Sequence, residues 1–330
     1  MTRVALIGCG DVATVHLDAI ADLANVELVG VADTDPLALA RVSSEWSVPG
    51  FADHRALIDA VQPDVVHICT PHAAHAPVAL DTLAAGVHTL LEKPLAATLD
   101  EGRALVAAAD ASAARFGVCL QNRYNGTTRT LARVLASGAL GPVLGARAQV
   151  MWTRTADYYE AKPWRGTWAG GGGGFLMNQA IHTIDLVQWL LGPVAQVHGS
   201  TSTLRFADVI EVEDTAVGLL RHASGVATSF YGTLTHHRNE PVMLEIACER
   251  GVLRLEGDLR VTHADGTVEQ LAPPDEGRTR RSYWGASHAL LIADFYARLT
   301  EPEPFWIDAR AALQSLAVVQ AFYDHGRVTS

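Results

Sequence analysis

The sequence predicts a two-domain α/β protein. A parallel, doubly wound sheet covers residues 1–121, and an α+β domain over 122–330 follows, built on a largely antiparallel, open sheet. Three observations carry this expectation. The first third alternates short, nearly all-apolar runs with amphipathic ones, as parallel strands covered on both faces by helices do. After about Asn122 the runs lengthen, alternate in polarity and are separated by turn signals. The length of 330 residues exceeds what one ordinary core organises.

In chain order, residues 3–7 read as a strand, 11–23 as an amphipathic helix and 26–32 as a second strand. Helix resumes over 36–45, where Pro36 stands in the first turn and its missing N–H costs little. Short apolar strands at 65–69 and 88–91 flank a helix at 76–85, and an alanine-rich helix over 98–116 leads to a strand at 118–120. Beyond these, helix 128–137 precedes a long strand at 143–152. Runs at 194–204, 215–220, 226–234, 241–248 and 252–255 follow as a meander, with turns such as Ala223-Ser224-Gly225 and Ala264-Asp265-Gly266. Helices at 288–299 and 308–323 close the chain, and the glycine run 170–174 is the low-complexity segment.

Composition narrows the function. Hydrophobic residues make up 49% and charged residues 18%, so the chain is core-rich. A formal net charge of -11 gives no basic field for nucleic acid or an anionic membrane. Cys9, Cys69, Cys119 and Cys248 are far apart and suit a reducing, cytoplasmic setting. No stretch reads as a signal peptide or a membrane span.

Gly8-x-Gly10-x-x-Ala13, with Asp11 and Val12 between, joins a strand to a helix. Gly8 permits the tight turn, Gly10 lets backbone approach a pyrophosphate, and Ala13 packs helix on strand. The helix N-terminus then faces the phosphates. Asp33, about twenty residues on, ends the second strand where a carboxylate binds ribose hydroxyls, although it or Asp35 could instead cap the helix at Pro36. The acid, with no arginine close behind it, favours NAD over NADP. Glu92-Lys93-Pro94 at a later strand end places a lysine beside that cofactor. His72 and His75, after Thr70-Pro71, have a spacing that invites a zinc reading, but no acid or cysteine completes a site there, so no metal is expected. Asn178, His182 and Asp185 stand at i, i+4 and i+7, on one face of a helix led by the glycine run, which lets backbone approach a ligand or a loop shift.

Gly8-x-Gly10-x-x-Ala13, Thr70-Pro71-x-x-x-His75, Glu92-Lys93-Pro94 and the glycine run followed by His182-x-x-Asp185, in this order and spacing, resemble the Gfo/Idh/MocA oxidoreductases. The resemblance implies a Rossmann domain for 1–121, and a substrate and oligomerisation domain for 122–330. It implies NAD held by the glycine turn, Asp33, Thr70, Pro71, His75, Glu92, Lys93, Asn122, Trp164 and Arg165. It also implies hydride transfer on a sugar, cyclitol or sugar derivative, with Lys93 and His182 handling the hydroxyl proton. A lysine and a histidine suit that task, because the proton must leave as hydride does, and a histidine titrates near working pH. Asn178, Arg154, Tyr158 and Tyr283 are further candidates for binding substrate, and Arg278, Arg280 and Arg281 read as a solvated loop. Many catalytic relatives carry aspartate at the position of Asn178 and glycine at that of Ala180; an amide cannot take up a proton, so Asn178 would cap the helix or bind a hydroxyl. The stretch around His182 resembles a branch that includes dehydrogenases of nucleotide-linked amino-sugar uronates. A non-catalytic dinucleotide sensor and redox-assisted glycoside cleavage are the alternatives. Self-association as a homodimer or homotetramer is expected through the exposed sheet face.

Overall fold

A strand in the middle of a covered parallel sheet must be apolar on both faces, and Val4, Ala5, Leu6 and Ile7 are all buried. They belong to β1 (Thr2–Ile7), which runs into α1 (Ala13–Ala21) and then β2 (Val26–Ala32), α2 (Pro36–Trp46), β3 (Gly50–Phe51) and α3 (His54–Val61). After these come β4 (Val65–Ile68), α4 (His75–Ala84), β5 (His88–Glu92), α5 (Leu99–Ala111) and β6 (Phe116–Cys119). The computed structural model describes residues 1–272 and 287–324. The six strands lie in the order β3-β2-β1-β4-β5-β6, all parallel. The chain reverses direction across the sheet between β1 and β4, so the carboxyl ends of those strands frame a crevice of the kind that binds ligands in open α/β sheets.

Local chemistry sets the helix starts. Asp35 caps α2 by accepting from the backbone N–H groups of Leu37 and Ala38, with Pro36 at the first position. Thr98 and Glu101 form a reciprocal capping box at α5. Helix α5 ends at Ala111, short of the expected 116, and β6 starts at Phe116 rather than 118, because Arg115 offers its carbonyl to Thr89 N–H as the chain enters the sheet. Strand β3 and helix α3 were absent from the sequence reading; both are short.

Contacts divide the chain into Met1–Gln121 with Thr279–Leu313, and Asn122–Arg278 with Gln314–Ser330. The second group contains α6 (Gly126–Ala136), β7 (Val143–Met151), α7 (Ala156–Glu160), α8 (Trp168–Gly171), a π turn at Leu176–Ala180 and α9 (Ile181–Leu191). It continues with β8 (Val194–Ser202), β9 (Thr215–His222), β10 (Ala227–Thr233), β11 (Met243–Cys248), β12 (Gly251–Glu256), β13 (Asp258–His263) and β14 (Val268–Leu271). Two helices follow, α10 (Ser287–Ala297) and α11 (Ala309–Tyr323). Helix α10 packs on α1 and β6, so it joins the first group, although the sequence reading gave all of 122–330 to one domain.

The second sheet runs β14-β13-β12-β11-β7-β10-β9-β8. Its pairs are antiparallel except β7 with β10, which departs from a simple meander. Phe175, Phe230 and Phe322 are buried and form its aromatic core, with Phe322 seated over Gly199 and Gly218, where any Cβ would lie within 2.7 Å of its ring.

Candidate active site

In the first group, the candidate residues lie at the carboxyl ends of β1, β2, β4 and β5. Gly8 has φ +96°, and a Cβ there would stand 2.5 Å from the carbonyl carbon of Cys69, so the turn after β1 requires glycine. No heavy atom lies within 4 Å of where a Gly10 Cβ would be. Helix α1 starts without a side-chain cap. Thr70 Oγ1 is buried without a protein partner. An open backbone, an uncapped helix start and an orphaned hydroxyl fit a pyrophosphate-bearing ligand.

Asp33 does not cap α2; Asp35 does. Asp33 instead accepts from Cys9 N–H at 2.5 Å and from Asp35 N–H at 2.8 Å, which holds the glycine turn against the end of β2. Arg41 donates to the Cys9 carbonyl at 2.8 Å. The sequence reading passed over this arginine because it follows in a helix, not directly after the acid. His75 is wholly buried, with Nδ1 2.7 Å from the Pro94 carbonyl and Nε2 2.9 Å from the Thr70 carbonyl. A neutral ring donates to one of these carbonyls at a time and stands wedged between them, so His75 braces the two loops rather than facing a ligand. Burial lowers its pKa.

Lys93 is half-buried and is followed by a cis peptide to Pro94. Glu92 points into the core. Its Oε1 lies 3.0 Å from His16 Nε2 and 3.1 Å from His288 Nε2, and its Oε2 accepts from Lys93 N–H at 3.2 Å. His16 Nδ1 is 2.7 Å from His67 Nδ1, and His67 Nε2 is 2.9 Å from the Tyr296 hydroxyl. Burial raises the Glu92 carboxyl, but the bonds from His16 and His288 outweigh it and hold the group well below the carboxylate range. Burial also lowers His16 and, further, His67. By the resemblance Glu92 approaches the nicotinamide ribose; in this structure both its oxygens are engaged within the protein.

In the second group, Tyr158 organises a polar cluster. Its hydroxyl accepts from Asn178 Nδ2 at 3.0 Å and Gln179 Nε2 at 2.9 Å. The Arg165 guanidinium lies 4.3 Å and that of Arg154 5.2 Å from its ring centroid, both within cation–π range. Arg154 also donates to Asn239 at 3.2 Å. Arg154, Tyr158, Arg165 and Asn178 are therefore brought together, and Trp164 stands beside Arg165 in the 3₁₀ turn Pro163–Gly166. Asn122 is half-buried in the 3₁₀ turn Gln121–Tyr124. Tyr283, Arg278, Arg280 and Arg281 lie outside the described residues.

The helix bearing His182 differs from expectation in its first turn. Asn178 lies in the π turn and His182 in α9, so one regular face does not run through both. π turns are rare and recur at functional sites. Asn178 caps neither segment. His182 is half-buried, whereas Asp185 is buried and takes a bidentate pair of hydrogen bonds from Arg123 at 2.6 and 2.8 Å, with Ser315 Oγ at 3.0 Å. The glycine run is a packing requirement. A Cβ on Gly173 would meet the Tyr323 hydroxyl at 2.1 Å, and one on Gly174 the Glu213 carbonyl at the same distance. Glu213 accepts from Gly174 N–H, Leu176 N–H and the Tyr323 hydroxyl at 3.0, 2.8 and 2.9 Å, and burial pushes its carboxyl up to about 7.

Family models decide what this assembly is. The NAD-binding Rossmann domain of the Gfo/Idh/MocA oxidoreductases matches residues 2–120, and the C-terminal domain of the same family matches 128–254. The chain belongs to the Gfo/Idh/MocA family. The structure of WlbA dehydrogenase from Bordetella pertussis, in complex with NADH and UDP-GlcNAcA, superposes with a TM-score of 0.85 at 31% identity, covering 98% of this chain and 96% of that one. D-apiose dehydrogenase of Paraburkholderia graminis is 28% identical over 329 residues, 97% of this chain and 86% of the relative. Levoglucosan dehydrogenase, with NADH and levoglucosan bound, shares the fold along the whole of both chains at a TM-score of 0.91 and 23% identity. This Gfo/Idh/MocA protein is an NAD-dependent oxidoreductase. None of its described helices is long and apolar enough to cross a membrane.

The sequence reading missed Glu213, the histidines around Glu92, and the pairing with Asp185 of Arg123, which it had set beside Asn122 near nicotinamide or substrate. Asp185 gave a signal for Arg123 only in retrospect, since a lone buried carboxylate on an apolar helix demands a cation. Nothing local announces His16 or His288, which lie 76 and 196 positions from Glu92.

Proposed function

We propose that the chain is a dehydrogenase that oxidises a secondary hydroxyl of a sugar or sugar derivative. NAD, which the glycine turn would hold, would supply the acceptor for the hydride leaving the hydroxyl-bearing carbon. Lys93 takes the hydroxyl proton in oxidation, and in reverse its ammonium stabilises the negative charge gathering on the carbonyl oxygen. His182 binds the same hydroxyl and shares the proton, in keeping with an imidazole whose ordinary pKa is near neutrality.

The observation that carries this reading is the Tyr158 cluster, formed next to the His182-bearing helix. An aromatic face, two amides and two guanidiniums suit a polyhydroxylated ligand, which is recognised by stacking and paired hydrogen bonds. The relatives' names are in keeping, being sugar dehydrogenases and one dehydrogenase bound to a nucleotide-linked uronate. The two arginines at Tyr158 favour a sugar bearing a carboxylate over a neutral one, because a planar guanidinium pairs with a carboxylate in two-pronged fashion.

The test is NADH absorbance with purified protein, NAD⁺ and a panel of neutral aldoses, polyols and uronates, beside Lys93→Met. Reduction with one class, abolished in Lys93→Met while NAD affinity stays within about threefold of wild type (below about 0.7 kcal/mol), is the expected result. Turnover by Lys93→Met at the wild-type rate would refute the lysine's role.

A further inference from the structure

Four side chains converge in the core of the first group without a part in the reaction above. His16 comes from α1, Glu92 from the end of β5, Cys119 from the end of β6 and His288 from α10. Each is 5% exposed or less. Glu92 Oε1 stands 3.0 Å from His16 Nε2 and 3.1 Å from His288 Nε2, and these three ligand atoms all lie within 4.8 Å of one another. Cys119 Sγ is 4.0 Å from His16 Nε2. We propose that His16, Glu92, Cys119 and His288 form a four-ligand zinc site that ties α1, β5, β6 and α10 together.

The donor set is that of zinc: two imidazoles, one carboxylate and one thiolate, the mixture a borderline-soft d¹⁰ ion prefers in tetrahedral sites. With zinc about 2.0–2.3 Å from each donor, tetrahedral ligand atoms stand about 3.3–3.6 Å apart. The separations of 3.0 and 3.1 Å at Glu92 and 4.0 Å from Cys119 to His16 stand on either side of that value, and Cys119, which lies outside the three-residue group, completes the tetrahedron by a turn of its side chain. Four protein ligands leave no open position, which is the mark of a structural rather than a catalytic site. Zn²⁺ with one carboxylate, one thiolate and two neutral imidazoles is neutral overall, and binding releases the thiol proton to solvent.

The surroundings suit this assignment. When His16 binds through Nε2, its Nδ1–H donates to His67 Nδ1 at 2.7 Å, and His67 Nε2–H donates to the Tyr296 hydroxyl at 2.9 Å. Such outer hydrogen bonds orient a ligating histidine and fix its tautomer. Glu92 Oε2 keeps the Lys93 N–H and leaves Oε1 for the ion. Among the described residues His16, Glu92 and His288 are the one group of three or more metal-ligating side chains whose donor atoms all lie within 4.8 Å of one another. The ligands lie at positions 16, 92, 119 and 288, with no local spacing to betray them, which is why the sequence led to an expectation of no metal.

The experiment is metal analysis of the full chain, expressed with zinc supplied, stripped with chelator, dialysed against zinc and measured by mass spectrometry. Cobalt(II) replaces zinc in a parallel titration. One zinc per chain is expected, with a thiolate-to-cobalt charge-transfer band that disappears in Cys119→Ser and persists in Cys248→Ser. His67→Phe, which touches no metal in this scheme, should weaken zinc affinity about 10–100-fold. Zinc at background in wild-type protein would overturn the proposal without recourse to any variant, leaving the four groups a hydrogen-bonded cluster. A cobalt spectrum lacking the thiolate band, or one unchanged in Cys119→Ser, would overturn it equally.

Discussion

Glu213 gives the sharpest test of the second group. Its carboxylate is buried beneath the glycine run, where it accepts from Gly174, Leu176 and Tyr323. Tyr323, Tyr159 and Asp214 are further ionisable groups around it. Burial, only partly offset by those hydrogen bonds, raises the folded-state value to about 7 from an ordinary 4.5. The folded protein therefore keeps a proton that the unfolded chain has released across that interval. The associated stability is fully present below the unfolded value and is lost as pH rises through the folded one, in all about 3 kcal/mol. Between about pH 5 and pH 8 the loss is about 2.5 kcal/mol. Glu213→Gln has no such titration. Its amide also turns N–H groups toward one of the backbone donors, a penalty equal at both pH values that cancels in the comparison. Urea unfolding of both proteins at the two pH values, with fluorescence and circular dichroism required to coincide, reads the effect. The stability of the variant relative to wild type should rise by about 2.5 kcal/mol from the lower to the higher pH. Parallel pH dependences would show that Glu213 ionises normally and refute the burial argument.

Two further outcomes follow from buried partners. Asp185→Asn leaves the Arg123 guanidinium buried beside an uncharged amide and should destabilise the second group by about 3–5 kcal/mol in urea unfolding; a loss below about 1 kcal/mol would mean that Arg123 escapes to water. Asp33→Ala removes an acceptor for Cys9 N–H at the end of β1, so calorimetric NAD affinity should fall about 10–100-fold, the worth of one or two hydrogen bonds to a charged group, and discrimination against NADP should narrow because Arg41 stays. Unchanged affinity would remove Asp33 from the site.

The first sheet was legible because its signals are local. Gly8, Gly10, Ala13 and Asp33 each act on backbone within a few residues or one strand away, and a parallel strand buried on both faces advertises itself as an apolar run. The second sheet was legible as strands but not as topology, since the parallel pairing of β7 with β10 joins segments whose paired residues, such as Ala146 and Thr228, stand 82 positions apart and whose polarity patterns fit an antiparallel neighbour equally well. The π turn was beyond reach: Asn178 and His182 have regular helical spacing, and the packing before the turn comes from distant segments, Phe175 against Phe230 and Gly232 of β10, and Gly174 against Glu213. Side chains whose partners lie far along the chain, such as His16, Arg123 and Glu213, carry no pattern of their own.

Both groups solve one positional problem in the same way. A residue proposed to handle a proton must stay half-exposed to meet substrate, yet hold its position without the packing that fixes a core side chain. Each sits on backbone restrained from behind by an inward carboxylate. Glu92 binds the N–H of Lys93 itself, and Glu213 binds the N–H groups of Gly174 and Leu176 on the approach to His182. The two carboxylates ionise in opposite senses because their partners differ. Hydrogen bonds from two imidazoles hold the Glu92 carboxyl well below the usual carboxylate range, whereas Glu213 has two amides and a phenol and sits near neutrality. The lysine segment thus keeps a charged brace through neutral pH, while the bracing of the histidine segment weakens or strengthens through the range in which an imidazole itself titrates.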